Sequence, residues 1–157
     1  LLSNVYYGYA SNSKYILDGF TAFSIEYKGK YYLITAGHCV ENEYGKFGNF
    51  KFKANFSDEW IYPKLLTYNI DKYAENDYAI FTSDKIKSGF DYGEPLGINM
   101  ILGSADNNLN IVRSITKTNK NGESGSPIVN ENGEVIGILT GGITKIDKVL
   151  KAIDNLK

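Results

Sequence analysis

Short runs of aromatic and β-branched residues, broken every few positions by Gly, Asn, Asp or Lys turns, recur along nearly the whole chain. Such a pattern reads as an all-β protein of many short strands. "FTAFSIEY", "KGK" and "YYLITA" read as strand, turn and strand, ending just before Gly37, His38 and Cys39. In "FKFKANF", Phe50, Phe52, Ala54 and Phe56 alternate with Lys51, Lys53 and Asn55. That period of two turns one face to a core and the other to water. "KLLTYNI" reads as a further strand, and "DYAIF" as another with Asp77 at its mouth.

The second half continues with candidate strands in "PLGINMIL" and "NIVRSITK". "PIVNENGEVIGILTGG" is a strong hairpin signal, with Asn132-Gly133 supplying the positive-φ turn. After Gly142 the period changes: Ile146, Val149, Leu150 and Ile153 follow helical spacing, which predicts a short amphipathic helix at the end of the sequence. No repeat or low-complexity block interrupts the pattern. "TSDKIKSGFDYG", Thr82 to Gly93, is the best candidate for a crossover between two β halves.

Composition removes several classes of function. A chain of 157 residues buries about 70% of its unfolded surface, so a real core forms without covalent staples. Basic and acidic residues balance at 17 and 18, and Arg113 is the only arginine, so no footprint for nucleic acid is present. With Cys39 as the single cysteine and His38 as the single histidine, no intramolecular disulfide is available and a structural zinc site is hard to assemble. No apolar run approaches the roughly 20 residues of a membrane span, and "LLSNVYYGYA" lacks the basic start and apolar stretch of a secretory signal. The compartment is left open by the sequence, with secretion after removal of a signal or pro-segment slightly favoured over the cytoplasm.

Three segments carry chemistry. A serine hydroxyl is a poor nucleophile until a histidine within reach takes its proton, and that histidine needs an acid to set its tautomer and stabilise the imidazolium. His38 lies in "TAGHC", Asp77 in "NDYAIF" and Ser124 in "GESGSP". The glycines beside Ser124 permit a tight turn that presents Oγ, with the N–H groups of Gly122 and Ser124 directed at a developing oxyanion. Taken singly, each motif has an ordinary explanation as a surface turn, a strand cap or a packed histidine. Their conjunction, with the only histidine of the chain in one of them, favours catalysis.

In that order the three segments resemble the chymotrypsin-like serine proteases, and within them the compact bacterial glutamyl endopeptidases and HtrA-like enzymes, from about Gly19 to Gly142. The resemblance implies two six-stranded-type antiparallel β-barrels, residues 1–84 carrying His38 and Asp77, and residues 85–157 carrying Ser124 plus the terminal helix. It implies His38 as general base, Asp77 as its orienting acid, Ser124 as nucleophile, and Gly122 with Ser124 as oxyanion hole. Leu139, Thr140 and Gly141 match the strand that pairs with the substrate backbone. Thr118, six residues before Ser124, matches the pocket floor where trypsin-type enzymes carry aspartate, so cleavage after Arg or Lys is disfavoured and cleavage after an uncharged residue preferred.

Some features depart from that pattern. The interval from Asp77 to Ser124 is short, and only a helix is expected after "LTGG", so the second barrel reads as trimmed. Glu123 is expected to be solvated or locally hydrogen-bonded in preference to an ion pair with the Leu1 amine, and Cys39, disulfide-bonded in many relatives, to be a small buried hydrophobe in preference to an oxidised intermolecular pair. The expectation is a serine endopeptidase acting through an acyl-enzyme on polypeptide substrates, with no metal or organic cofactor and no oligomeric state encoded in the pattern. The alternatives are a catalytically silent peptide-binding module, or a self-processing protease domain of a larger polyprotein.

Overall fold

The computed structural model describes residues 2–106, 109–114 and 122–156. After a short 3-10 turn at Leu2–Asn4, strand β1 (Val5–Ser11) is followed by β2 (Ile16–Tyr27) and β3 (Lys30–Thr35). Lys28 and Gly29, with φ of 51° and 78°, make the two-residue turn between β2 and β3, since Tyr27 pairs with Lys30. A two-strand flap follows, β4 (Glu41–Asn42) with β5 (Gly45–Lys46), then β6 (Asn49–Ala54), β7 (Trp60–Ile61), β8 (Lys64–Asn69) and β9 (Tyr78–Thr82). These strands, the flap apart, form one antiparallel sheet in the order β7-β6-β1-β2-β3-β9-β8.

The second sheet contains β10 (Met100–Asp106), β11 (Leu109–Ser114), β12 (Pro127–Val129), β13 (Val135–Leu139) and β14 (Ile143–Lys145), ordered β11-β10-β12-β13-β14. Helix α1 (Ile146–Asp154) leaves β14 directly and buries Ile146, Val149 and Ile153, the stripe the helical spacing predicts. The architecture is all-β, two curled antiparallel sheets with one helix after them.

The expected strands are present with instructive differences. Phe52 is fully buried, whereas Phe56 is 79% exposed because the strand stops at Ala54 and Phe56 adopts φ of 70°, ending the alternation. In "PLGINMIL" only the segment from Met100 onward is strand, and Leu96 and Ile98 are exposed. Between "LTGG" and the helix lies β14, three residues long, where only a helix was expected.

One core joins the two sheets: Phe23, Ile25, Ile34 and Ile80 from the first pack with Leu102, Val129, Val135 and Ile138 from the second, and with Val149 from the helix. The crossover at residues 82–93 binds both sheets through backbone hydrogen bonds. Phe90 N–H donates to Ser24 O at 2.8 Å and Glu26 N–H to Phe90 O at 3.0 Å on one side; Val135 N–H donates to Asp91 O at 2.8 Å on the other. A second core inside the first sheet is built on Phe20, Phe52 and Phe81, with ring centroids 5.1 Å apart for Phe52 and Phe81. The catalytic candidates therefore sit on a frame whose two halves share buried apolar surface.

Candidate active site

His38 leaves the end of β3. Ala36 is still extended, then Gly37–Cys39 form one 3-10 turn in which Cys39 N–H donates to Ala36 O at 3.1 Å and Val40 N–H to Gly37 O at 2.9 Å. Glycine is required at 37 because a Cβ would lie 2.5 Å from Asp77 Oδ1 and closer still to the Asn69 carbonyl oxygen. That lack of a side chain lets the Asp77 carboxylate slide in beside the turn. His38 Nδ1 then donates to Asp77 Oδ2 at 2.7 Å, with the histidine side chain 36% exposed and the aspartate 2%.

A carboxylate at Nδ1 fixes the tautomer, because only a protonated Nδ1 can donate to it; Nε2 is left with a lone pair directed away from Asp77. Among the described residues, Asp77 Oδ1 is buried without a hydrogen-bond donor. The imidazole is thus the main compensation for a carboxylate held out of water.

Asp77 is the last residue of the loop between β8 and β9. Its backbone N–H donates to Thr144 Oγ1 at 3.0 Å, and Thr144 and Thr140 both donate their hydroxyl protons to the Ala74 carbonyl, at 2.6 and 2.5 Å. Both threonines belong to the β13–β14 hairpin of the second sheet. The Asn69 side-chain amide, donating to Asn76 O at 2.6 Å, holds the loop from its other side.

Ser124 sits in a turn with positive φ at Gly122 (88°) and Gly125 (90°). Ser126 closes the turn, its N–H and hydroxyl both donating to Glu123 O, at 2.9 and 2.6 Å. The turn is fastened to the first sheet at Thr21. Thr21 N–H donates to Ser124 O at 2.9 Å, and its hydroxyl donates to Gly122 O at 2.8 Å. Thr35, three residues before His38, donates its hydroxyl to Thr21 O at 2.7 Å. Thr21 is therefore a shared post: the serine turn hangs on it from one side and the strand leading to His38 from the other.

His38 and Asp77 are joined directly, and the Ser124 turn is brought to the strand that carries His38. Among the described residues no hydrogen bond links Ser124 Oγ to His38, and the N–H groups of Gly122 and Ser124 donate to no backbone carbonyl. Leu139 holds the turn from the other side, accepting from Gly125 N–H at 2.8 Å and donating to Ser126 O at 2.9 Å. Thr140 and Gly141 form the hairpin turn after it, and Thr140 is buried while Gly141 has φ of 99°. Thr140 to Gly142, His38, Asp77 and the loop from Ile70 to Ala74 enclose a cleft of about 410 Å³. Thr118 lies outside the described residues.

Glu123 is fully buried, which overturns the solvated reading. Cys39 is buried as expected, and burial pushes its thiol up to about 12, so it is no thiolate nucleophile at neutral pH. Among the described residues no group of three or more His, Cys, Asp or Glu could hold a metal ion, and no helix is long and apolar enough to cross a membrane. Larger depressions of about 550 and 670 Å³ lie elsewhere, one rich in lysine and one apolar, and neither contains a serine, histidine and carboxylate set. Sequence reasoning missed Thr21, Thr35 and Thr144; threonine is so common in strands that no local signal marks these three.

No family model and no curated protein matches the sequence. The fold does match solved structures. The active form of the Rv3671c protease from M. tuberculosis superimposes with a TM-score of 0.75 at 16% identity, over 99% of this chain and 81% of that one. The thermostable serine protease AL20 from an extremophilic microorganism gives 0.67 at 16% identity, over 98% of each chain. A catalytically inactive tobacco etch virus protease complexed with substrate gives 0.63 at 12% identity, over 99% of this chain and 84% of that one. The chain has the double-barrel fold of the chymotrypsin-like serine proteases.

Proposed function

We propose that this chain is a serine endopeptidase. The observation that carries the reading is the 2.7 Å bond from His38 Nδ1 to a buried Asp77 carboxylate, beside a glycine-flanked serine turn fastened to the same strand system. A packed structural histidine has no need of a buried carboxylate behind it.

In this reading Ser124 Oγ attacks the carbonyl carbon of the scissile peptide as its proton passes to His38 Nε2. The oxyanion is stabilised by the N–H groups of Gly122 and Ser124. His38 then delivers the proton to the leaving amine, giving an ester at Ser124, and a water activated by the same imidazole releases the acid. Residues 1–84 supply base and acid, and residues 85–157 the nucleophile. Substrate lies along Thr140 and Gly141, and Thr118 favours an uncharged residue at the cleaved bond.

Fluorophosphonate labelling with mass mapping tests this directly, since it needs no knowledge of the substrate. Labelling at Ser124, lost in Ser124→Ala and in His38→Ala, is the expected result. A folded chain that takes no label, or one that labels equally after His38→Ala, refutes the assignment.

A further inference from the structure

The hairpin of the second sheet holds the acid of the first, and it does so through a residue outside the three catalytic motifs. Thr144 is fully buried on β14, in register with Ile138 of β13. Its Oγ1 accepts the Asp77 N–H at 3.0 Å and donates to the Ala74 carbonyl at 2.6 Å, so one hydroxyl grips the Asp77 loop at two points, three residues apart. Thr140 adds a second donor to the same carbonyl at 2.5 Å. Ala74 needs such anchorage because it is a non-glycine residue at φ of 65°.

We infer that Thr144 is a positioning residue for the catalytic acid: it sets the height of Asp77 beneath His38, and thereby the short bond from His38 Nδ1 to the carboxylate. The inference rests on the serine-endopeptidase reading for its effect on rate, but the positioning itself does not. Asp77 has little else to locate it. Its Oδ1 has no hydrogen-bond donor among the described residues, and its Oδ2 meets only the imidazole it is meant to orient. Its backbone N–H and carbonyl oxygen are the remaining polar handles on the residue among the described contacts, and Thr144 Oγ1 meets both, at 3.0 and 3.3 Å. Without the hydroxyl that N–H is buried and unpaired, and the loop gains by moving toward another acceptor.

Because the chain has a single histidine, the imidazole resonances are identified without further assignment. The readout is the low-field Nδ1–H proton of His38, the signature of a short bond to a carboxylate, measured beside the rate of fluorophosphonate labelling. Thr144→Val removes the hydroxyl at constant shape, Thr144→Ser keeps it, and Thr140→Val removes one donor to Ala74 O while leaving the Asp77 N–H paired. Where valine disturbs packing, Thr144→Ala takes its place.

In Thr144→Val the low-field resonance should move upfield and labelling should slow about tenfold, the loss expected for one orphaned buried donor. In Thr144→Ser both should stay within about twofold of wild type, since the donor regains its partner. An unmoved resonance in Thr144→Val overturns the inference, as does a Thr144→Ser that shifts as far as the valine, or a Thr140→Val that shifts more than either. A wild-type chain that gives the resonance but takes no label removes the protease reading alone and leaves the positioning role standing on the resonance of the variants.

Discussion

Gly125→Ala should separate steric fit from backbone strain at the Ser124 turn. Gly125 has φ of 90°, and a Cβ there would stand 3.1 Å from the Thr21 carbonyl carbon and closer still to its oxygen and to Thr35 Oγ1. An alanine must therefore push the turn off Thr21. That breaks or stretches Thr21 N–H to Ser124 O at 2.9 Å and Thr35 Oγ1 to Thr21 O at 2.7 Å. Left-handed backbone costs an L-residue about 1–2 kcal/mol, and two disrupted buried hydrogen bonds add about 1–2 kcal/mol each. The sum, about 3–6 kcal/mol, is a large share of the roughly 5–15 kcal/mol that holds a domain folded. Gly141→Ala is the control: φ is 99°, but the nearest atom to its Cβ is Ala74 Cβ at an ordinary 4.0 Å, leaving only the strain of about 1–2 kcal/mol. Urea unfolding followed by fluorescence measures both on the same scale. Gly125→Ala should lose about 2–4 kcal/mol more than Gly141→Ala. Equal losses at the two positions would refute the claim that Thr21 and Thr35 are the surfaces against which the turn is built.

Other outcomes follow from burial and charge. Cys39, its thiol raised to about 12 by burial, should resist iodoacetamide at neutral pH and react at the rate of unfolding; fast alkylation of the native chain would show the thiol to be accessible. The Asp154 carboxyl is held below its ordinary range by hydrogen bonds from Lys28 Nζ and the Tyr27 hydroxyl, so its contribution is present above the unfolded value and fades as pH falls through the lowered folded one. The difference in melting temperature between wild type and Asp154→Asn should accordingly shrink on acidification, and a difference independent of pH would count against the link. Phe52→Ala, fully buried, should cost about 3–5 kcal/mol, whereas Phe56→Ala, 79% exposed, should stay within about 0.5 kcal/mol of wild type; comparable losses would restore the unbroken alternation of that strand.

Much of the frame was legible because its signals are local. The turn at Lys28-Gly29, the hairpin around Asn132-Gly133 and the spacing of Ile146, Val149 and Ile153 each report on a few neighbouring residues, and each element formed as the pattern predicts. What stayed hidden depends on distant contacts. β1 escaped notice because its burial alternates while its residue types do not: Tyr6, Gly8 and Ala10 face inward, Gly8 under the Phe20 ring, and Tyr7 and Tyr9 on the other face are just as aromatic. β14 is three residues long, too short for any period, and runs straight into the helix. Glutamate ordinarily seeks water, so the complete burial of Glu123 is set by the surroundings of the turn and leaves no mark in its own segment.

The candidate site divides along the same line. The candidates His38, Asp77 and Ser124 were singled out because the chain has only one histidine and the other two motifs follow it in a set order. The residues that bring them into register are threonines, which any strand can contain. The candidate base and acid come from the first sheet and the candidate nucleophile from the second, so apolar packing between sheets can bring the two halves close but cannot fix their distance to the tolerance that proton transfer would need. Directional bonds must do that. Thr21 and Thr35 tie the Ser124 turn to the end of β3, while Thr140 and Thr144 tie the Asp77 loop to the β13–β14 hairpin. The two ties run in opposite senses, one from the first sheet outward and one from the second sheet back. Together they make a closed circuit through the site, since the same hairpin strand that ends at Leu139 also accepts the Gly125 N–H. A shift of either sheet is then felt at the Ser124 turn and at the Asp77 loop at once, and the three-residue β14 takes part in this through Thr144.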